Sequence, residues 1–458
     1  MNQWLLFRKA AAALLLCAAT AWAGPHPTFT ILTTFPTGVF PVAPPVQGID
    51  GNFYGITAGV SPAPGTIYKV TPQGALTTIY TFCSQPNCSD GSEPEAGLVL
   101  GTDGNFYGTT VTGGTNNLGT VFRVTPVGAL TTLYSFDQTD GSGPCAPLIQ
   151  GNSGDFYSTT FDGGTSGYGT IFKITPAGKL TTLYDFTGAD NALVCASLLQ
   201  AANGSFYGTT ANDGGFGRGN GTIYELTLAG AFSTVLTFNG SDGANPQDGL
   251  VQTADGNFYG TTAEGGACSE GTVFELAPDG TLTTLFSFSF GGSSSIDGSY
   301  PYAPLVYASN GKLVGTASFG GGPGHAGTVF EISTKGALNR LHSFSASEGE
   351  PYRGLIQGAD GAFFGVSQAG ILYKLSTGAP PFIKTVPLSG PPASAVTILG
   401  TNLTGTTAVT FNGVPAAFTL DSATEITATV PAGAATGKVQ VTTPVVMLSN
   451  VGQFIVTP

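Results

Sequence analysis

At 458 residues the chain is long enough for two or three ordinary domains, or for one large repeat domain and a small one. Charged residues make up only 9%, while Gly (69), Phe (31) and Tyr (16) are abundant, a composition that suits an all-β protein with many tight turns. The 41% hydrophobic content excludes a disordered chain, and a formal charge of −13 argues against nucleic acid and anionic membrane surfaces as partners.

Residues 1–23 read as a secretory leader. Arg8 and Lys9 form the basic segment, Ala10 to Thr20 the apolar stretch, and Ala21-Trp22-Ala23 the small-x-small cleavage site before Gly24. The apolar stretch is too short and too Ala-rich to span a membrane. The bulky Leu16 before Cys17 speaks against a lipidated cysteine. Losing Arg8 and Lys9 with the leader takes the formal charge from −13 to −15. The expected location is secreted or extracellular, with the periplasm and cell surface included.

From there an aromatic pair recurs behind a tight turn about every 50 residues: Phe53-Tyr54, Phe106-Tyr107, Phe156-Tyr157, Phe206-Tyr207, Phe258-Tyr259 and Phe363-Phe364. Leu313-Val314 takes the place of the pair in one further unit, which makes seven. Each unit predicts four short strands, in the second unit Ala96–Gly101, Asn105–Thr110, Gly119–Thr125 and Leu130–Phe136. Asp103-Gly104 suits a tight hairpin between the first two, and Pro126-Val127-Gly128 turns the third into the fourth. Short hairpins make neighbouring strands antiparallel, which excludes a parallel β-helix.

Successive residues of a strand face opposite sides. Phe106 and Tyr107, and likewise Val121 and Phe122, therefore give each sheet two apolar faces, and each sheet must lie between two others. The expected fold is an all-β, seven-bladed β-propeller over residues 24–376. The last unit stops after its third strand, Gly370–Ser376, and an orphan strand, Phe29–Phe35, precedes the first unit. The N-terminal strand is expected to close the ring as the outer strand of the last blade.

The motifs Gly104-Asn105-Phe106-Tyr107-Gly108-Thr109-Thr110, Gly119-Thr120-Val121-Phe122 and Leu130-Thr131-Thr132-Leu133-Tyr134-Ser135-Phe136 resemble the GloVer tandem repeat of secreted bacterial proteins. The resemblance extends over residues 29–378. It implies an extracellular location and carries no established activity or active-site residues. The first, sixth and seventh units depart most from the pattern; the first and seventh lack the Gly-Gly loop seen at Gly113-Gly114.

Residues 377–382, with Gly378 and Pro380-Pro381, read as a linker. Beyond it the period stops, and short strands are expected at Val396–Ile398, Ala408–Phe411, Ala417–Thr419, Glu425–Val430 and Lys438–Thr442. Gly400-Thr401-Asn402-Leu403, Val409–Val414 and Ile426–Pro431 resemble an IPT/TIG domain, an immunoglobulin-like β-sandwich, over residues 383–458. The resemblance implies a spacer or interaction module.

Of the six cysteines, Cys17 lies in the leader. Cys83 and Cys88 could close a local loop. Cys145 and Cys195 occupy one position of successive units, and Cys268 has no evident partner. Zinc would need closer cysteine pairs with histidines nearby, and the histidines outside the leader are only His26, His325 and His342. Asp90-Gly91, Asp140-Gly141, Asp242-Gly243 and Asp297-Gly298 recur between units, without the run of oxygen ligands that a calcium loop needs. No metal or cofactor is expected.

In a ring of this kind the short turns share one face and the longer, variable connections the other, which makes the latter the more plausible binding face. Eleven residues before each first aromatic stand Val42, Glu95, Cys145, Cys195, Gln247, Tyr302 and Tyr352, followed by Ala43, Ala96, Ala146, Ala196, Asp248, Ala303 and Arg353. Among these, Glu95, Asp248, Tyr302, Tyr352 and Arg353 are candidate ligand-binding residues for a saccharide or peptide, against the plainer reading of a solvated rim. Gln47, Gln150, Gln200, Gln252 and Gln357 share another position and are expected to satisfy backbone groups or ordered water near the channel. Neither His325 nor His342 has a partner legible in the sequence. The expectation is a non-enzymatic extracellular binding or scaffold protein whose partner is a carbohydrate or a cell-surface protein. The alternative is a propeller polysaccharide lyase or glycoside hydrolase acting at the channel mouth.

Overall fold

The computed structural model describes residues 27–457, apart from 60–63, 188–189, 191–193, 212–218, 290–296, 323 and 325. The predicted leader, His26 and His325 lie outside the described residues. Strands dominate what is described, with a short 3-10 turn at Pro86–Cys88.

Seven antiparallel sheets follow one another along the chain. Blade 2 runs Val99–Leu100, Phe106–Thr110, Thr120–Val124 and Leu130–Ser135, hydrogen-bonded in that order from the inner strand to the outer. Its inner strand is shorter than the sequence suggested, because only Val99 and Leu100 ladder against Tyr107 and Phe106. Blade 1 has an additional strand, Val39–Pro41, paired to the long second strand Phe53–Gly59. The ring closes as expected: Thr28–Thr34 pairs antiparallel with Ile371–Ser376 and supplies the outer strand of blade 7.

The two-faced aromatic pairs build the interior. The second residue of each pair stacks on the first residue of the next blade's pair. Centroid distances are 4.2 Å for Tyr54–Phe106, 4.0 Å for Tyr107–Phe156, 4.3 Å for Tyr157–Phe206 and 4.5 Å for Tyr207–Phe258. Tyr259 then packs with Leu313 and Val314 with Phe363, and Phe364 meets Phe53 at 4.1 Å to complete the circuit. A wider ring of edge-on contacts surrounds the first: the Phe at the end of each outer strand meets the third-strand aromatic of the following blade. Phe136–Phe172 (5.3 Å) is one example, and Phe35–Tyr68 (4.8 Å) bridges the seam between the N-terminal strand and blade 1. Such ring pairs stabilise by about 0.5–1.5 kcal/mol beyond their area burial.

Each outer strand carries a β-bulge at the same place, between Thr132 and Tyr134 in blade 2 and at the matching position of the other six. The bulge carbonyl of blade 1, on Ile79, faces Gly128 in the third turn of blade 2. A Cβ on Gly128 would lie 2.1 Å from that oxygen, and its φ is +91°, so the glycine is required by space and by conformation.

The inner-strand glutamines latch one blade to the next. Gln200 Oε1 accepts from Asn152 N of the preceding blade at 2.8 Å, while its Nε2 donates to Gly204 O at 3.0 Å. Gln150, Gln252 and Gln357 repeat both bonds, and Gln47 accepts across the seam from Ala359 N at 3.0 Å.

The C-terminal unit packs two four-stranded sheets. One orders Lys384–Val386, Ala395–Leu399, Glu425–Thr429 and Phe418–Leu420; the other orders Val414–Pro415, Ala408–Phe411, Val439–Thr442 and Met447–Ser449. Val396, Ile398, Phe411, Ile426, Val441 and Phe454 fill the space between them. The segment read as a linker is bound to the propeller's short-turn face: Phe382 N donates to Ala359 O at 3.0 Å, and Ser309 Oγ donates to Pro380 O at 2.7 Å. The sandwich therefore sits over that face, and the long-loop face is left uncovered by it.

Candidate functional site

Blades 6 and 7 bring their long-loop rims together. Tyr302 and Tyr352, at the same position of successive units, lie 5.1 Å apart with rings tilted by 41°. Tyr300 stacks on Tyr302 at 6.0 Å and meets Phe319 edge-on at 5.8 Å. The Arg353 guanidinium lies over the Tyr352 ring at 5.1 Å. The result is a continuous aromatic strip, partly exposed along its length, with Phe319 40% exposed at one end and the cation of Arg353 at the other. Beside Arg353 a groove of about 340 Å³ opens between blades 7 and 1, lined by Phe40, Pro41, Tyr352 and Gln368 among others.

Local structure explains how the rings come to be presented. Tyr300 has a φ of +54°, which turns the chain sharply before Pro301, and its backbone is bonded to Glu270 O and Ser318 N. Ser299 and Phe319 form an isolated bridge that pins the loop preceding blade 6's inner strand to the loop after its second strand. The same bridge recurs as Ser92–Thr112, Ser142–Asp162 and Ala244–Glu264. The repeat thus supplies the frame, and blade 6 places aromatics on it.

Carboxylates border the strip. Burial raises the pKa of Tyr302, and the neighbouring Tyr352, Glu264 and Glu350 push it the same way. Burial also holds the Glu350 carboxyl above its usual range. Asp248 ties blade 5 to blade 4: its Oδ1 accepts from Ser197 Oγ at 2.8 Å, from Ser197 N at 3.3 Å and from Gly249 N at 2.7 Å. Burial raises the Asp248 pKa, while these bonds and the charge of Arg353 oppose the rise. Glu95, on blade 2, is exposed and makes no hydrogen bond or ion pair among the described residues.

Of the five candidates, the structure therefore joins Tyr302, Tyr352 and Arg353 in one strip, commits Asp248 to an interblade bond network, and leaves Glu95 apart. Tyr300, Phe319, Glu264 and Glu350 were not singled out from the sequence. The Tyr300-Pro301-Tyr302 spacing and the replacement of Thr112, Asp162 and Glu264 by Phe319 at one repeat position were the available signals.

Cys83 and Cys88 are joined as a disulfide, as are Cys145 and Cys195, whose Cα atoms lie 5.2 Å apart on the rims of blades 3 and 4. Cys268 is exposed with a free thiol.

The recurrent aspartates between blades hold the protein's own donors. Asp90 accepts from Tyr80 Oη at 2.7 Å and from Ser84 N at 2.9 Å, and Tyr134–Asp140 and Tyr184–Asp190 repeat the pairing. His342 is the blade 6 version of that tyrosine. Its Nε2 lies 3.5 Å from Glu348 Oε2, and its ring stacks on Phe29 of the closing strand at 4.0 Å. The histidine thus belongs to the ring's seam. Among the described residues no group of three or more His, Cys, Asp or Glu side chains is placed to hold a metal ion, and no helix is long and apolar enough to cross a membrane.

Known proteins place this architecture. The extracellular domain of a putative hybrid two-component system, BT3049 of B. thetaiotaomicron, is similar in fold at 11% identity, with a TM-score of 0.52 over 94% of this chain and 58% of that one. The extracellular domain of a putative one-component system of the same organism, BT4673, gives 12% identity and a TM-score of 0.51 over 82% of this chain and 46% of that one. The chain thus spans about half the length of these two. The WD40 β-propeller domain of Doa1 gives 15% identity and a TM-score of 0.50, over 76% and 97% of the two chains. At such identities the likeness concerns fold alone. No curated protein matches the chain. The IPT/TIG domain matches residues 381–454. The Gloeobacter/Verrucomicrobia repeat matches residues 23–220 and 195–378, so the chain belongs to the Gloeobacter/Verrucomicrobia repeat family.

Proposed function

We propose that this chain is a secreted, non-enzymatic binding protein that recognises a carbohydrate on the long-loop face of its propeller. The observation that carries the reading is the aromatic strip Phe319–Tyr300–Tyr302–Tyr352 with Arg353 stacked at its end. An aromatic ring presents a partly negative face, and the C–H groups on one side of a sugar ring present a complementary apolar, partly positive one. Spacings of 5–6 Å between successive rings allow a short oligosaccharide to lie across several of them. Glu264 and Glu350 can accept sugar hydroxyls, and Arg353 can donate to a hydroxyl or a uronate.

The accompanying division of the chain is a leader at 1–23, the propeller at 24–376, a docked connector at 377–382 and the sandwich at 383–458. The leader would direct export from the cytoplasm, and its cleavage would release the exported chain. The sandwich, seated on the short-turn face, would act as a pedestal that turns the strip outward.

A glycan and peptidoglycan array probed with the wild type, Tyr302→Ala and Tyr352→Ala tests the reading. Binding by the wild type that both substitutions reduce at least tenfold supports it. Binding that survives both substitutions removes the site, and turnover of any bound polysaccharide removes the non-enzymatic assignment.

A further inference from the structure

The opposite end of the ring holds a second concave site, independent of the aromatic strip. Where the sandwich meets the short-turn face, a partly open cavity of about 480 Å³ remains between the inner strands of blades 7, 1, 2 and 3 and the segment 382–389. Its walls on the propeller side are mainly aliphatic, from Val46, Val99, Leu100, Ile149 and Ile356. The Oε1 atoms of Gln47 and Gln150 near it are already committed, since they accept the latch bonds from Ala359 N and Thr102 N.

Into this cavity the first strand of the sandwich brings one cation, Lys384. Its ammonium lies 5.6 Å above the Phe382 ring, and no hydrogen bond or ion pair holds it among the described residues. The carboxylate whose field reaches it is that of Asp360, which is itself paired with Lys374 at 2.7 Å. Burial pushes the Lys384 pKa down to about 8, and the Asp360 charge opposes that shift. Lys384 is only half-buried, yet an ammonium partly removed from water without an anion is still costly unless something else pairs with it. Four lysines beside the turns between first and second strands do have partners: Lys69 with Asp50, Lys173 with Asp155, Lys312 with Glu331 and Lys374 with Asp360.

We infer that the cavity between propeller and sandwich binds a monocarboxylate with an apolar body, its carboxylate paired with Lys384 and its hydrocarbon against the inner-strand aliphatics. The volume lies in the range of ordinary small-molecule pockets. The chemistry is complementary at both ends: aliphatic walls exclude water from the body of the ligand, and the unpaired cation sets its orientation. Because the two walls come from different domains, the bound acid would also bridge the propeller and the sandwich.

Isothermal titration of the full mature chain with octanoate tests this, with octanol as the uncharged partner of equal length. The expected result is saturable one-to-one binding of octanoate, with octanol at least tenfold weaker. A charge-assisted bond contributes enough that Lys384→Met should weaken octanoate by roughly tenfold or more. Tyr302→Ala should leave it unchanged, so failure of the carbohydrate reading and failure of this one are distinguishable. Should Lys384→Met not fold, wild-type protein treated with acetic anhydride gives a second readout: octanoate should protect Lys384 from acetylation, measured by peptide mass spectrometry, and octanol should not. Equal binding of octanol and octanoate, binding indifferent to Lys384→Met, or acetylation of Lys384 unaffected by saturating octanoate would each overturn the inference.

Discussion

Phe35 is the residue at which the closure of the ring can be measured most cleanly. It is 6% exposed, packs edge-on against Tyr68 of blade 1 at 4.8 Å, and belongs to one cluster with Phe53, Phe364 and Leu372. Truncating a buried Phe to Ala costs about 3–5 kcal/mol. An unfolding entropy of about 2.1 cal/mol/K per residue spreads that loss over a propeller of roughly 350 residues, so Phe35→Ala should lower Tm by about 5 °C. Phe136→Ala, at the matching position of blade 2 against Phe172, should cost a similar amount in Tm. The two should part in local opening. The strand Thr28–Thr34 is tied to blade 7 by pairing and packing rather than by a covalent hairpin, so Phe35→Ala alone should speed amide exchange along Ile371–Ser376. Deleting residues 24–36 removes Phe29, Leu32 and Phe35 together, on the order of 10 kcal/mol, which is as large as the whole stability of a typical domain. Differential scanning calorimetry and hydrogen-exchange mass spectrometry read the series. An unchanged Tm in the deletion, or equal exchange at Ile371–Ser376 in both point variants, would refute the seam.

His342, held below its usual pKa of 6.5 by burial against the opposing pull of Glu348, binds its proton less readily folded than unfolded. Its contribution is therefore intact above about pH 6.5 and is lost as pH falls below that value; Tm should drop from pH 7 to 5, and His342→Tyr, which restores the residue of the other blades, should flatten that part of the curve. Non-reducing peptide mapping should recover Cys83–Cys88 and Cys145–Cys195 as linked pairs, and free thiols at either pair would exclude it. Losing the link across the 50-residue separation of Cys145 and Cys195, by Cys145→Ser with Cys195→Ser, should cost up to about 4 kcal/mol in urea titration. Gln200→Leu should cost about 1–2 kcal/mol in the same assay by leaving Asn152 N and Gly204 O without their partner, and a neutral result would remove the latch as a stabilising device.

The ring was legible in the sequence because each of its devices is written several times over. Phe106-Tyr107 states that a sheet has two apolar faces, and recurrence of the pair makes the statement unambiguous. The orphan strand at Phe29–Phe35 became meaningful only against the missing fourth strand after Ser376. Single events were harder to read. The connector docks through Phe382 N and Pro380 O, backbone atoms that leave no residue signature, so residues 377–382 looked like free linker. Lys384 reads as an ordinary exposed lysine at a strand start until the short-turn face is placed beside it. The His342–Glu348 pair was within reach, since His342 aligns with Tyr134 and its carboxylate partner lies six residues on, as Asp140 does from Tyr134. Tyr302 and Tyr352 could be found because they share a repeat position. Phe319 was legible only as a departure from Thr112, Asp162 and Glu264 at one repeat position, and Tyr300 only through its spacing from Tyr302.

Hydrogen-exchange mass spectrometry of the full mature chain, with and without the glycan selected by the array, tests the binding account most directly. The account predicts slowed exchange confined to the long-loop segments 299–302, 318–320 and 350–353, abolished in a Tyr302→Ala, Tyr352→Ala double variant, with the glycan recovered chemically intact. Slowed exchange at the short-turn face instead, or protection of the strip segments that persists in the double variant, would contradict it.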